Sequence, residues 1–159
     1  MSYRIGLGYD VHPFDPDSEL ILGGVQIPHK YGLKGHSDAD VLLHAITDAL
    51  LGALSLGDIG THFPDTDPVY KNANSAELLK KSYDLVKNRN YALANTDATV
   101  IAESPILKPF IADIRKSIST ILDCEINQVS VKATTSEKMG FVGRSEGIAV
   151  HAVVLIKEL

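Results

Sequence analysis

The sequence predicts an α+β fold of two layers, an α/β-like arrangement in which helices pack on one face of a single β-sheet. Three observations support this class. Segments of strand type alternate along the chain with segments of helical periodicity. The 159 residues are 45% hydrophobic and 22% charged, which suits one domain with a full core, spanning residues 1–159. No internal repeat, low-complexity tract or long linker interrupts them.

The first part of the chain contains two extended segments and one apolar helix. Residues 3–9 predict a first strand, and residues 20–27, LILGGVQI, predict a second extended segment around a Gly-Gly turn. The stretch SDADVLLHAITDALLGAL predicts a helix with Ser37 as N-cap and Asp40 as its capping-box partner. This helix is apolar on most sides, so we expect it to be buried.

The second part of the chain alternates helices with strands. A second helix is predicted to begin near Asn74, because Asn74 and Glu77 repeat the capping spacing, and the strand LANTDATVIAE follows it. A third helix is predicted from about Pro105 to Leu122, and then the strand INQVSVKATT. After a short turn or helix in SEKMGFVGRSEG, the strand GIAVHAVVLI completes the pattern. The pattern does not fix the order of the strands in the sheet.

Charge and cysteine content argue against several classes of protein. A net charge of -5 gives no general basic field, so neither nucleic acid nor an anionic membrane surface is expected as a partner. The single cysteine, Cys124, excludes an intramolecular disulfide, fits a reducing compartment and is expected to be buried. The longest apolar run falls short of the roughly 20 residues of a membrane span. We therefore expect a cytoplasmic protein, with loss of a transit peptide from a longer precursor as the alternative.

The stretch GLGYDVHPF places Asp10 and His12 two positions apart on a predicted strand, so their side chains point to the same face. Two ligands are too few to hold a metal ion. His44, one turn after Asp40 on the apolar helix, completes a His-His-carboxylate set, which is typical of an open catalytic zinc site. A single histidine on such a helix is more often a core residue with one satisfied hydrogen bond, and the residues alone leave both interpretations open.

Four motifs occur in order along the chain, namely GYDVHPF, GHSDADVLLHAITDALLGALSLGDIG, FPDTDP and VKATTSEKMGFVGRSEGIA. Together they closely resemble the 2-C-methyl-D-erythritol 2,4-cyclodiphosphate synthase family of the non-mevalonate isoprenoid pathway. Several long motifs in the right order are far more specific than one short pattern. The resemblance implies an enzyme that converts 4-diphosphocytidyl-2-C-methyl-D-erythritol 2-phosphate into 2-C-methyl-D-erythritol 2,4-cyclodiphosphate and CMP.

The resemblance also implies two metal ions. Asp10, His12 and His44 match the ligands of a Zn²⁺ ion that acts as Lewis acid and template. Glu137 matches the ligand of a second divalent cation, Mg²⁺ or Mn²⁺, although by itself it would be interpreted as a solvated residue beside Lys138. The nucleophile, the 2-phosphate, is already anionic, so the reaction depends on positioning and charge neutralisation more than on a general base.

Substrate-binding residues are implied along most of the chain. His36 and Thr135 match the two residues that stabilise the transition state. His36 and Ser37 are expected at the start of the first helix, where free N–H groups attract phosphate. The loop GDIGTHFPDTDP is expected to enclose the methylerythritol hydroxyls, and AESPILK is expected to form the cytidine pocket. The matched substrate-binding residues are Asp10, Val11, His12, His36, Ser37, Asp58, Ile59, Gly60, Phe63, Pro64, Asp65, Thr66, Asp67, Ala102, Glu103, Ser104, Pro105, Ile106, Leu107, Lys108, Thr134, Thr135, Ser136, Glu137, Phe141 and Arg144.

One departure from the family pattern concerns the cytidine pocket. Many relatives have Pro-Lys where this sequence has Pro105 and Ile106, and the nearest lysine is Lys108. Either Lys108 reaches the nucleotide from a shifted position, or main-chain contacts bind the base and its phosphate.

The resemblance further implies a homotrimer with active sites between adjacent subunits. Phe141 and Arg144 are expected near the trimer axis, where they would line a cavity that can hold an isoprenoid diphosphate. His62 matches no functional position, and His151 is interpreted as a core or interface residue. Two other functions are alternatives: a zinc hydrolase of phosphoanhydrides, and a non-enzymatic zinc-stabilised trimer that senses isoprenoid diphosphates. Product analysis would separate the first from cyclisation, and CMP release would exclude the second.

Overall fold

The computed structural model describes residues 1–159 as a five-stranded sheet with three long helices on one face, so the predicted mixed α+β class is confirmed. The strands are β1 (Tyr3–Asp15), β2 (Leu20–Leu22), β3 (Val25–Ile27), β4 (Gly32–Leu33), β5 (Tyr91–Ile101), β6 (Val129–Thr134) and β7 (Gly147–Glu158). The helices are α1 (Val41–Ala53), α2 (Ile59–His62), α3 (Ser75–Lys87), α4 (Ile111–Ile121) and α5 (Gly140–Gly143). Short 3₁₀ turns occupy Pro68–Tyr70, Lys108–Phe110 and Ile126–Gln128.

The main sheet has the strand order β4-β1-β7-β5-β6, and β2 pairs with β3 in a separate hairpin. All neighbours in the main sheet are antiparallel except β5 and β6, which are parallel. Strand β7 lies at the centre, between β1 and β5. Its pairing with β1 runs from Tyr3 opposite Lys157 to Pro13 opposite Gly147.

Helix α1 forms the middle of the core, as its apolar sequence predicted. It packs on β1 and β7 on one side and on α3 on the other, and 11 of its 13 residues are buried. Helix α4 packs on β6. No helix in the structure combines the length and the apolar character needed to cross a membrane.

Strand β1 has a covered face, formed by Gly6, Gly8, Asp10 and His12, that points toward α1. The two glycines are required by the close approach of the helix. A Cβ atom on Gly6 or Gly8 would lie 1.8 Å from the carbonyl oxygen of Ala49 or Ala45, respectively. The backbone of α1 therefore lies directly on β1, and His44, beside Ala45, is brought to the side chains that follow the glycines along the strand.

The opposite, uncovered face of β1 carries no helix. Its members are apolar or aromatic and exposed, with Ile5 at 70% and Leu7 at 68% of their possible surface. They continue across the sheet onto β7, where the Tyr9 ring contacts the tilted ring of His151 at 4.9 Å between centroids and Leu7 pairs with Val153. We define this uncovered face as Tyr3, Ile5, Leu7, Tyr9 and Val11 of β1 with His151, Val153 and Leu155 of β7.

The predicted start of α1 is wrong. The helix begins at Val41 and its N-cap is Asp40, whose Oδ1 accepts a hydrogen bond from the N–H of Leu43 at 3.1 Å. Ser37 cannot fill this role because Ala39 has a φ of 56°, a left-handed conformation that interrupts a right-handed helix. The Asp40 carboxylate also accepts two N–H groups of the β2–β3 turn, at 2.9 and 2.7 Å. It therefore ties the hairpin to the start of α1.

Other predicted boundaries are partly confirmed. The hairpin around Gly23 and the N-cap role of Asn74, which accepts from the N–H of Ala76 at 2.8 Å, are both present. Strand β1 is longer than predicted, because it pairs with β7 and β4 beyond Tyr9. Helix α4 begins at Ile111 and not near Pro105, and the segment between them is a loop followed by a 3₁₀ turn.

The single cysteine is half-buried, not fully buried as expected. Burial and the neighbouring charges of Asp123 and Glu125 raise the pKa of the Cys124 thiol. Such a shift favours the protonated form of the thiol, which is the less reactive one.

Candidate active site

Asp10, His12 and His44 meet at one point between β1 and α1, and we call them the triad. Asp10 Oδ2 lies 3.0 Å from His12 Nε2 and 3.2 Å from His44 Nδ1, and the two ring nitrogens are 3.3 Å apart. Strand periodicity places Asp10 and His12 on the covered face, and the two-glycine contact places the helix residue beside them. The sequence prediction that these three side chains converge is confirmed.

The triad has the donor set and spacing of a metal site. Zinc–nitrogen and zinc–oxygen bonds of about 2.0–2.1 Å in a tetrahedron imply donor atoms about 3.3 Å apart, close to the observed separations of 3.0, 3.2 and 3.3 Å. His12 Nδ1 lies 2.7 Å from the carbonyl oxygen of Lys34, which can only accept, so the ring proton is on Nδ1 and the Nε2 lone pair faces the triad. The Nε2 lone pair of His12 therefore faces the Asp10 carboxylate at 3.0 Å, and a metal ion or a proton between them would offset the repulsion.

The electrostatics of the triad favour the charged forms of Asp10 and His12. Burial disfavours the ionised form of Asp10, but hydrogen bonds and positive charge from His12 and His44 outweigh it and lower the pKa to about 2. Burial acts in the opposite sense on His12, yet the hydrogen bond and charge of Asp10 raise the pKa of this imidazole above its ordinary value of 6.5. Both shifts favour the pair of an ionised Asp10 and a protonated His12 when no metal ion is bound.

The triad lies in a cleft of about 340 Å³, which we call the triad cleft. Besides the triad, its wall contains two residues before α1, two of α2, two from the loop after α2, one from the 3₁₀ turn that follows, and one of α3. These residues are His36, Ser37, Ile59, Gly60, Phe63, Asp65, Tyr70 and Leu78. The predicted loop residues Asp58, Pro64, Thr66 and Asp67 do not line the cleft.

The loop that forms one wall of the triad cleft is fixed by two carboxylates. Asp48 of α1 accepts the N–H of Ile59 at 2.7 Å, and burial raises the pKa of this half-buried carboxyl. Asp58 caps α2 by accepting the N–H and the hydroxyl of Thr61, at 2.8 and 2.7 Å. Asp58 thus has a structural role in this chain, and the loop is held against the helix that carries His44.

His36 and Ser37 do not lie at the start of α1, so their predicted position at that helix N-terminus is wrong. Both residues lie on an irregular strap that precedes the helix. The strap is held by the N–H of Asn72, which donates to the carbonyl oxygen of His36 at 3.0 Å. The Ser37 hydroxyl lies 3.1 Å from His44 Nε2. Both side chains still line the triad cleft.

A second cleft, of about 420 Å³, lies beyond the carboxyl ends of β5 and β6. It is lined by most of the predicted cytidine segment together with the end of β6 and the first residue of α4. The lining residues are Ala102, Glu103, Pro105, Ile106, Leu107, Lys108, Ile111, Lys132, Ala133, Thr134 and Thr135. No residue lines both the triad cleft and the second cleft.

The loop between β5 and α4, which lines the second cleft, is fixed by hydrogen bonds to other segments of the chain. Glu103 accepts the N–H of Ser136 at 2.8 Å, which joins the loop to the turn after β6. Ser104 does not line the cleft, but its hydroxyl lies 3.3 Å from the Nε2 of His29, a residue between β3 and β4. Lys108 forms no ion pair, whereas Lys132 on the same wall is paired with Asp97.

Ten predicted site residues line neither cleft: besides Asp58, Pro64, Thr66, Asp67 and Ser104, these are Val11, Ser136, Glu137, Phe141 and Arg144. Val11 lies on the uncovered face of β1, opposite its neighbours Asp10 and His12. Glu137 is exposed in the turn after β6, and its N–H donates to Thr135 Oγ1 at 3.3 Å. Phe141 and Arg144 are exposed on α5 and just after it, and Arg144 pairs with Glu146.

The sequence profile of the YgbB family matches residues 3–157. This chain belongs to the YgbB family. Two curated relatives, from Ectopseudomonas mendocina (strain ymp) and Alcanivorax borkumensis (strain ATCC 700651 / DSM 11573 / NCIMB 13689 / SK2), are 59% and 57% identical over 153 and 157 residues. The matches cover 96% and 99% of this chain and 98% of each relative. Both relatives are named 2-C-methyl-D-erythritol 2,4-cyclodiphosphate synthase, so the family expected from the motifs is confirmed.

Solved structures of YgbB-type chains share the fold. The bifunctional IspDF from Campylobacter jejuni superposes with a TM-score of 0.96 at 50% identity, covering 99% of this chain. This chain spans only 43% of that bifunctional protein. The CDP complex of IspF from Plasmodium falciparum superposes with a TM-score of 0.87 at 39% identity, covering 99% of this chain and 97% of that one.

Several residues of this YgbB-family site escaped the sequence analysis. Tyr70 and Leu78 line the triad cleft, and the ring of Tyr70 contacts Phe63 edge-on at 5.4 Å between centroids. Leu78 belongs to the apolar stripe of α3, a pattern that indicates only burial. Asp48 and His29 act on the clefts through other residues. Their partners are distant in sequence, so no local pattern could have identified them.

Proposed function

We propose that this chain is a 2-C-methyl-D-erythritol 2,4-cyclodiphosphate synthase of non-mevalonate isoprenoid precursor biosynthesis. It converts 4-diphosphocytidyl-2-C-methyl-D-erythritol 2-phosphate into the 2,4-cyclodiphosphate and CMP. The observation that carries this proposal beyond family membership is the convergence of three donor atoms within 3.3 Å in the triad cleft. The triad could hold a metal ion that binds phosphate, and the N–H and carbonyl groups of the neighbouring loop could bind hydroxyls. This combination suits a substrate that carries both kinds of group.

The proposal includes two metal ions. Asp10, His12 and His44 would hold Zn²⁺, as the match between the observed donor separations and tetrahedral coordination supports. When bound, the ion supplies Lewis-acid neutralisation of charge on the β-phosphate. Glu137, exposed beside Thr135, is proposed to hold the second cation, Mg²⁺ or Mn²⁺.

Residues of the chain then have to position the substrate and stabilise the transition state. An oxygen of the 2-phosphate forms a bond to the β-phosphorus, and the bond from that phosphorus to the α-phosphate oxygen breaks, so CMP leaves with the electron pair. The nucleophile needs no general base because it is already an anion. We assign stabilisation of the transition state to His36 on the triad cleft and Thr135 on the second cleft.

We also propose a single catalytic domain over residues 1–159 that works as a cytoplasmic homotrimer with active sites between subunits. Two features support the assembly. The triad cleft and the second cleft have no lining residue in common, which suits a site whose halves come from neighbouring chains. The uncovered face is apolar over two strands, as expected of an interface. An isoprenoid diphosphate near Phe141 and Arg144 is the proposed axial ligand.

The reaction is tested by incubating zinc-loaded protein with the diphosphocytidyl substrate in ¹⁸O-labelled water and following phosphorus NMR. We expect cyclic diphosphate and CMP without incorporation of solvent oxygen. Labelled, open-chain phosphates would indicate a hydrolase, and no release of CMP would indicate a binding protein. His44→Ala serves as the control, because two remaining ligands cannot hold the ion, and we expect loss of both zinc and turnover.

The location of the site between subunits is tested with mixed trimers. Asp10→Asn removes a triad ligand, and Thr135→Val alters the second cleft, so each trimer alone should be nearly inactive. Refolding the two together should restore activity above the sum of the separate preparations, because some interfaces combine two intact halves. Verified mixed trimers without activity would mean that one chain supplies both halves.

A further inference from the structure

A chain of hydrogen bonds, buried at Ser75 and partly exposed at Asp38, lies behind His44, on the side of the ring away from the triad. His44 Nε2 is 2.7 Å from the hydroxyl oxygen of Ser75, the first residue of α3. The same hydroxyl contacts Oδ1 of Asp38, and the N–H of Ser75 donates to Oδ2 of Asp38 at 3.0 Å. Ser75 is fully buried, and His44 is 9% exposed. None of the motifs in the sequence points to this connection.

The direction of these hydrogen bonds follows from which groups can donate. The Asp38 carboxylate accepts only, so the Ser75 hydroxyl donates its single proton to it. The Ser75 oxygen is left with lone pairs, and it accepts the proton of His44 Nε2. His44 is then the tautomer with its proton on Nε2, and the Nδ1 lone pair faces Asp10 at 3.2 Å.

We propose that Asp38 and Ser75 are positioning residues of the metal centre, which fix the tautomer and the ring orientation of His44. The inference rests on the zinc site proposed above. Partners of this kind orient metal-binding imidazoles and make them better donors. Ser75 accepts the ring N–H of His44, as the Lys34 carbonyl oxygen accepts the ring N–H of His12. Both imidazoles therefore direct a nitrogen lone pair toward the same point.

Ser37 is the competing explanation for the orientation of His44. Its hydroxyl lies 3.1 Å from His44 Nε2, farther than that of Ser75, and it accepts the N–H of Ala39 at 3.2 Å. No carboxylate fixes the proton of the Ser37 hydroxyl. Ser37 therefore leaves the tautomer of His44 undecided, whereas the bond between Ser75 and Asp38 decides it.

The test compares zinc affinity among variants by competition with a chromophoric chelator. We expect Ser75→Ala to bind zinc about 10- to 100-fold more weakly than the unaltered protein. Asp38→Asn should weaken binding in the same direction, because the amide can donate to Ser75 and reverse the chain of hydrogen bonds. Ser75→Thr keeps the hydroxyl and should restore most of the affinity.

Asn74→Ala is the matched control for a purely structural effect. Asn74 caps the same helix by accepting from the N–H of Ala76, but it does not contact His44. We expect it to lower Tm by about 2–4 °C, for a lost cap of about 1 kcal/mol in a protein of this size, with unchanged zinc affinity. An equal loss of affinity in Asn74→Ala would show that loosening α3 is sufficient, and the inference would be wrong.

Two further results would decide whether Ser75 and Asp38 position His44. Unchanged zinc affinity in Ser75→Ala would overturn the positioning role while leaving the zinc site intact, whereas an unaltered protein that binds no zinc would reject the site itself. Long-range ¹⁵N–¹H NMR of the metal-free, unaltered protein at pH 8 does not depend on the folding of any variant. It should show the His44 proton on Nε2, and a proton on Nδ1 would overturn the proposal.

Discussion

The two faces of strand β1 differ in what they do for a single chain. The covered face carries two glycines and two triad residues, and it lies under α1 with no space for a further Cβ atom at either glycine. The uncovered face carries five apolar or aromatic side chains, and no other part of the chain packs over them. One strand therefore builds the core and the triad with one face and leaves the other free.

The glycines of the covered face and the large apolar side chains of the uncovered face have different roles in this fold. Contact between β1 and α1 depends on the absence of side chains at Gly6 and Gly8, so the backbone of the helix sets the position of His44. The large side chains on the other face contribute little to the stability of one chain, because they remain exposed. Changes on the covered face should affect folding and metal binding, and changes on the uncovered face should affect assembly.

The largest effect is expected from Gly8→Ala. The added Cβ would lie 1.8 Å from a backbone oxygen of α1, which cannot move without shifting the helix, so we expect a loss of about 3 kcal/mol in the free energy of unfolding. Urea unfolding measures it. Gly52→Ala is the control, since its nearest neighbour is 3.8 Å away and an exposed helical alanine should stabilise by up to about 1 kcal/mol. Equal effects of the two changes would contradict the contact.

The next effect concerns the uncovered face. Leu7→Lys places a charge where the proposed interface excludes water, so the trimer should dissociate, as light scattering would detect. Because Leu7 is exposed in one chain, the stability of the monomer should change by no more than about 0.5 kcal/mol. Ile126→Lys changes another exposed apolar residue, away from this face, and should leave the trimer intact. A Leu7→Lys variant that remains trimeric would remove this face from the assembly.

The pH dependence of metal binding tests the charges on the covered face. Zinc binds neutral imidazole, and His12 has a pKa raised above 6.5, so zinc affinity should fall about tenfold for each pH unit below that pKa. Asp10, with a pKa of about 2, stays ionised between pH 4 and pH 8 and adds no slope there. Chelator competition at several pH values measures the effect. Zinc affinity that stays constant between pH 5 and pH 7 would contradict the assignment of His12.

In the metal-free protein His12 and Asp10 also make the free energy of unfolding depend on pH. For His12 the direction is opposite to that of zinc affinity. The folded-state pKa of His12 is raised, so its contribution to stability is fully present below pH 6.5 and is lost as the pH rises through the folded-state value. The contribution of Asp10 is present above pH 3.8 and is lost as the pH falls toward about 2. Thermal unfolding with and without a chelator should therefore show different pH profiles.

The smallest effect is expected at the second cleft, away from both faces of β1. Lys108 lines that cleft without an ion-pair partner, so Lys108→Ala should weaken CMP binding by about 1 kcal/mol in calorimetry. Lys116→Ala removes the same charge from an exposed position on α4 outside the cleft and should change nothing. Equal affinities for all three proteins would mean that main-chain contacts bind the nucleotide.

Much of the fold was predictable because local patterns agree with it. The alternation in β7 and the apolar α1 gave correct elements, and so did the cap at Asn74. The predicted start of α4, at about Pro105, was too early. Pro109 follows, and a proline inside a helix removes a hydrogen bond and clashes with the preceding turn, so the helix begins only after it.

Site residues could be predicted where the side-chain periodicity of one strand or helix places them. They could not be predicted where they depend on contacts between residues that are distant in sequence. Asp10 and His12 follow from strand alternation, and the motifs add His44. Ser75 could not be identified, because its contact with His44 arises only when α3 packs against α1. Ser37 was misassigned for a related reason, since the left-handed backbone at Ala39 is a property of the folded strap and has no marker such as glycine.

The central position of β7 has a consequence for how the chain folds during synthesis. This strand is the last of the sheet in chain order, yet both β1 and β5 pair with it, and β1 does so across more than 130 residues, as for Pro13 and Gly147. Such distant pairing makes folding slow and leaves apolar surface open while the chain waits. Until Gly147 and the residues after it emerge, β1 and β5 each lack a neighbour. During that time β1 and β5 present unpaired strand edges, which are prone to pair with other chains.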